Sequence, residues 1–132
     1  MGAWGTDLLE DDDAADVAGT FIDAIEAGAT VEQAIAGVME EYEFALDDMD
    51  SRPNVILALA WLASERGTVP EWLEAEAREI VAREVTLARW KEDAPADVDE
   101  RRAVEAQLIA VLDGSIPHPG RPDWLVPDAP EA

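Results

Sequence analysis

The densest concentration of groups able to do chemistry in this chain is four aspartates close to its start, Asp11, Asp12, Asp13 and Asp16. Asp12, Asp13 and Asp16 spell DDxxD. On a helix that spacing sets Asp12 or Asp13 one turn from Asp16, so two carboxylates can share a hard cation such as Mg2+ or Ca2+. The competing duty of the same residues is to cap the free N–H groups of a helix start and to complement its dipole. Two further acidic pairs, Glu76 with Glu79 and Asp97 with Glu100, stand three residues apart on what read as successive helices, as a Mg2+ site shared between helices requires. Glu76 and Glu79 fall among arginines, however, and Asp97 with Glu100 suits a helix start. Nucleophilic chemistry is poorly provided for. The chain has no cysteine and one histidine, His118, set between two prolines, and its serines are Ser51, Ser64 and Ser115. Ser51 reads as a helix cap and Ser64 as helix surface, so no triad is expected, and no thiolate zinc site.

The aspartates close an unusual opening run, MGAWGTDLLEDDDAAD. Gly2 and Gly5 flank Ala3 and Trp4, a combination suited to a tightly turning backbone that plugs one indole into a core. With Thr6, Asp12, Asp13 and Asp16, these residues resemble the signature of a family of small bacterial proteins known as domain of unknown function 4259, over about the first seventeen residues. Departures from that signature are Asp7 for Gly, Leu9 for an aromatic residue, Asp11 for Asn and Val17 for Trp. Aspartate tolerates a left-handed backbone, so Asp7 is compatible with the turn. The resemblance implies a shared helical fold and N-terminal device, and it implies no reaction. DDxxD also holds a diphosphate in isoprenoid synthases, but those folds are more than twice this size and need a second acidic site.

The charge is segregated. Fifteen Asp or Glu and no Lys or Arg lie between Met1 and Ser51, whereas six of the nine basic residues fall between Arg78 and Arg102, within a net charge of −22. A one-signed surface repels nucleic-acid phosphates and anionic membranes, and favours cations or a basic protein. Acid excess also serves solubility or life in high salt. With 48% hydrophobic residues in 132, the chain is long enough for one folded domain despite that charge. The longest apolar run, Val55 to Ala63, is too short to span a bilayer and no signal peptide precedes it, so the expected compartment is the cytoplasm.

Five helices must position these groups, and the expected architecture is a compact all-α bundle. Helix one starts at the acidic knot, presents Val17, Phe21 and Ile25, and ends at Gly28. Helix two opens with a Thr30/Gln33 capping box and buries Val31, Ile35, Val38, Tyr42 and Leu46. An acidic link, Asp47 to Asp50, follows. Helix three runs from Ser51 to Arg66, and its VILALAWLA centre, apolar on nearly every side, marks the middle of the bundle. Helix four starts around Thr68, Pro70 and Glu71 and runs unbroken to about Lys91, burying Leu73, Ala77, Ile80, Val81 and Leu87. Glu74 with Arg78 and Glu79 with Arg83 pair on its surface. Helix five opens at Asp97 and Glu100, presents Val104, Leu108, Val111 and Leu112, and stops at Gly114.

Residues 1–114 are expected to form a single helical domain, with the Gly/Trp N-terminus packed across the helix ends. Residues 115–132 read as a Pro-rich strap docked through Trp124, Leu125 and Val126. The leading functional expectation is a non-catalytic interaction protein that binds a basic protein partner, of the immunity, inhibitor or nucleic-acid-mimic type, without nucleic acid or membrane. Glu40, Glu41, Glu43, Asp47, Asp48 and Trp72 are its candidate contact residues. The alternative is a Mg2+- or Ca2+-dependent enzyme or sensor built on Asp11, Asp12, Asp13 and Asp16, acting on phosphate-containing substrates.

Overall fold

A computed structural model describes residues 12–48 and 51–118, with Asp12, Asp13 and Ala45 described by backbone alone. The expected packing of Gly2 to Thr6, the capping role of Asp11 and the docking of Trp124 to Val126 lie outside these residues. Among the described residues the chain is all-α. Its helices are α1 (Asp12–Glu26), α2 (Val31–Glu41), α3 (Glu43–Asp47), α4 (Arg52–Glu65), α5 (Glu71–Ala82), α6 (Val85–Asp93) and α7 (Val98–Leu112), with one 3-10 turn at Pro95–Asp97. Two of the five expected helices are each broken in two, and that accounts for the seven.

The centre is α4. Its nine consecutive residues Val55 to Ala63 are all buried, because α1 and α5 pack on it and α3, α6 and α7 complete the surround. A helix with no polar face has no stable place except among others. Pro53 sits in its first turn, where a missing N–H costs nothing. Ser51 takes the cap position without a side-chain cap bond, a correction to its expected capping role.

In α1, Ala14, Val17, Ala18, Phe21 and Ile22 form the buried stripe. Gly28, at φ 104°, turns the chain out of it. The Ala29 N–H then bonds back to the Ala24 carbonyl at 3.0 Å, satisfying an end that would otherwise be open. The Thr30 capping box forms as expected: Gln33 N–H donates to Thr30 Oγ1 at 3.1 Å, and Thr30 N–H to Gln33 Oε1 at 3.0 Å. Helix two breaks at Tyr42 (φ −107°, ψ 33°). The Tyr42 hydroxyl donates to the Asp16 carbonyl at 3.2 Å and shares a 2.8 Å hydrogen bond with Thr20 Oγ1, which ties the break to α1.

The second break separates α5 from α6. Glu84 takes the left-handed backbone (φ 54°, ψ 39°), at a cost of about 1 kcal/mol for a residue with a Cβ. Ion pairs hold it there: Arg102 Nη1 meets its carboxylate at 2.5 Å and Lys91 Nζ at 3.6 Å. Glutamate carries no breaker signal, which is why the pattern reads as one helix. The helix starts expected around Thr68 to Glu71 and at Asp97 are found without capping boxes. Pro70 and Asp97 are the cap residues, neither with a side-chain cap bond, and the 3-10 turn leads directly into α7.

Gly114, at φ 77°, ends α7. The chain then turns back so that the His118 ring lies 4.3 Å from that of Trp61, itself 6% exposed. His118 Nε2 and the Trp61 carbonyl share a 3.0 Å hydrogen bond. The start of the Pro-rich segment is therefore fastened to the central helix.

Candidate functional site

The carboxylates expected to meet a partner stand on one short stretch of backbone. Glu40 and Glu41 end α2, Glu43 and Asp47 bound α3, and Asp48 follows; all five are exposed. The local fold explains this. The apolar stripe Ala34, Ile35, Val38 and Leu46 faces inward, so the intervening positions must face water. Phe44 falls out of phase with that stripe and stands 92% exposed among the acids. The hydrophobic reading of helix two passed over it. Its signal is an aromatic two residues from each of the inward-facing Tyr42 and Leu46.

Trp72 does not join this group. It is 44% exposed at the start of α5, after the turn that ends α4, whereas α3 precedes the start of α4. The 14 residues of α4 set those two ends roughly 20 Å apart at 1.5 Å per residue.

Acids and bases are used differently in the two halves. The described acids from Asp16 to Asp48 are all exposed wherever their side chains are described. In the second half, most of the described arginines are matched by carboxylates. Arg52 grips Glu76 with two prongs, at 2.6 and 2.8 Å, and that bond raises the arginine's pKa further. Arg78 meets Glu74 at 2.7 Å and Asp113 at 2.8 Å, with the same consequence. Arg83 pairs with Glu79 at 3.1 Å. The Arg102 hydrogen bond holds the Glu84 carboxyl below its ordinary pKa.

Of the two acidic pairs expected on successive helices, Glu76 and Glu79 are each engaged by an arginine, with both oxygens of Glu76 accepting from Arg52. Among the described residues no group of three or more His, Asp or Glu is placed to hold a metal. Of the N-terminal knot, Asp11 lies outside the described residues and Asp12 and Asp13 begin α1. Asp16 is exposed, and its backbone carbonyl anchors Tyr42.

Arg101 and Glu105 form a polar node that the pattern of helix five conceals. They are 3% and 1% exposed. Arg101 Nε donates to Glu105 Oε2 at 2.9 Å, the Thr86 hydroxyl donates to the same oxygen, and Arg101 Nη2 lies 3.5 Å from Asn54 Oδ1. The guanidinium sits over the Trp90 ring, 5.6 Å from its centroid. Glu105 Oε1 is buried without a hydrogen-bond partner among the described residues. Val98, Arg101, Glu105 and Leu108 share the buried face of α7, with helical spacing of three, four and three. That spacing was the available signal, masked because two of the four positions are charged.

A family model described as "Domain of unknown function (DUF4259)" matches residues 2–117. No curated protein matches the chain, and neither does any solved structure. Among the described residues no helix is long and apolar enough to cross a membrane.

Proposed function

We propose that this chain, which belongs to the domain of unknown function (DUF4259) family, is a non-catalytic interaction protein whose acidic N-terminal half engages a basic protein partner. The observation that carries this reading is charge segregation in sequence and in space. The first basic residue is Arg52, after fifteen acids, and the described acids of α1 to α3 whose side chains are described all face water. Such a field draws a basic partner in and orients it, and it penalises partners of its own sign by repulsion. Exposure matters here, because a carboxylate already engaged by an arginine has little attraction left to offer, as with Glu76.

The experiment is retention on the immobilised full chain at about 0.15 M NaCl, near the salt at which exposed charges more than roughly 8 Å apart are screened. The comparison is a variant carrying Glu40→Gln, Glu41→Gln, Glu43→Gln and Asp47→Asn. A discrete basic protein, identified, purified and rebound with measurable affinity by the native chain and not by the variant, is the expected result. Retention equal on both surfaces, fading smoothly with salt, would reduce the acids to solvation.

A further inference from the structure

Building on that reading of the acidic face, we infer that Phe44 is its apolar anchor and that the occupant is a basic amphipathic helix. Exposure of the ring is extreme. At 92% it stands apart from the other exposed large hydrophobics described, Trp72 at 44% and Val85 and Ile116 at 38% each. Single exposed apolar residues are common and need no explanation. What distinguishes Phe44 is its frame.

Glu40 and Glu41 precede it by four and three residues, Glu43 by one, and Asp47 follows by three, all exposed. Asp47 shares α3 with Phe44, and Glu40 and Glu41 end α2 on the far side of the Tyr42 break. An apolar centre thus has exposed carboxylates before and after it in the chain, the charge complement of a helix that carries an apolar residue flanked by Lys or Arg. The mount is fixed in advance. Leu46 is 7% exposed in the core, and its N–H bonds to the Tyr42 carbonyl at 3.0 Å while the Tyr42 hydroxyl is held by α1. An aromatic side chain on a packed base loses little freedom when it is covered, and aromatics are frequent interface anchors for that reason. A second copy of the chain is disfavoured, since it would press two faces of a protein of net charge −22 together. An anionic membrane is repelled by the same field.

The test uses the full chain at about 0.15 M NaCl with three synthetic peptides: an amphipathic Lys/Leu helix, a scrambled peptide of the same composition, and oligolysine. Titration calorimetry compares the native chain with Phe44→Ala, Phe44→Trp and the triple variant Glu40→Gln, Glu41→Gln, Glu43→Gln. Thermal melts accompany each variant. The amphipathic peptide should bind roughly tenfold or more tighter than the scramble. Phe44→Ala should abolish that advantage without lowering the Tm, Phe44→Trp should keep it, and the triple variant should weaken all three peptides. If Phe44→Ala keeps the advantage while the triple variant loses binding, the anchor is overturned and the acidic-face reading stands. If the native chain binds all three peptides no better than the triple variant, both readings fall. Self-association of the native chain that Phe44→Ala removes would replace the helix by a second copy.

Discussion

Arg101→Met is the most informative single perturbation of the fold. It removes the cation beside Glu105 and over the Trp90 ring and keeps most of the side chain's aliphatic bulk. Glu105, 1% exposed, would then be a buried carboxylate with Thr86 as its described partner and Oε1 already unpartnered. Breaking a buried pair from one side costs about 3–5 kcal/mol, because the charge left behind has no water to return to. Against a total stability on the order of 5–15 kcal/mol for a domain, that is a large fraction. At roughly 4 °C per kcal/mol for a chain of this size, the Tm should fall by about 12–20 °C. Removing both charges as Arg101→Met with Glu105→Leu takes away the desolvation cost with the attraction, so the double variant should lie within about 1.5 kcal/mol of the native chain. Urea unfolding followed by circular dichroism measures all of these. An Arg101→Met cost below about 1 kcal/mol, or a double variant as unstable as the sum of the two singles, would refute the view that Arg101 and Glu105 act as one neutral, mutually dependent unit.

Three other outcomes can be read by stability and titration. Thr30→Ala opens the capping box at the start of α2 and should cost about 1 kcal/mol in the same unfolding assay. His118 is the lone histidine, and burial against Trp61 pushes its pKa below the ordinary 6.5, outweighing the Trp61 carbonyl and Glu65, which act the other way. The unfolded chain therefore binds the proton first. The stability that His118 contributes is complete above pH 6.5 and is lost as pH falls through the depressed folded value. Proton NMR of the single imidazole should titrate below 6.5, and His118→Gln should flatten that part of the stability profile. Mg2+ should raise the Tm no more than NaCl of equal ionic strength, because screening is all that exposed acids need; a saturating excess at sub-millimolar Mg2+ would instead favour a site at Asp11 to Asp16.

How far the sequence could be read depended on whether one physical signal acted alone. The α4 core, the Thr30 box and the stops at Gly28 and Gly114 were legible, since an uninterrupted apolar run, a reciprocal cap and a glycine at positive φ each have a single local cause. The breaks at Tyr42 and Glu84 were not. Tyr42 keeps the helical apolar spacing and bends to reach α1, and Glu84 is held in a left-handed backbone by Arg102 from another helix. Both causes are tertiary. The candidate site divides in the same way. Exposure of Glu40, Glu41, Glu43, Asp47 and Asp48 followed from the stripe they interrupt, whereas an aromatic such as Phe44 is more often core, and charges such as Arg101 and Glu105 more often surface.

The two halves of the molecule solve the problem of charge in different ways, and the difference bears on function. From Arg52 onward, Glu76, Asp113 and Glu84 pair with arginines that join α4 to α5, α5 to the end of α7, and α7 to the break before α6. Those acids are part of the scaffold, and neutralising them would confound any binding assay with unfolding. In α1 to α3 the helices are held by the apolar stripe, the Thr30 box and the Tyr42 hydroxyl, and the carboxylates of Glu40, Glu41 and Glu43 contribute none of these contacts. Their mutual repulsion opposes folding, so the face is a cost that packing carries. Side chains that cost stability and hold nothing together are the ones whose replacement isolates a surface role, and Glu40, Glu41 and Glu43 are of that kind. Arg52, bonded to Glu76 on one side and attracted by Asp47 on the other, marks the seam where the structural use of charge gives way to the exposed one.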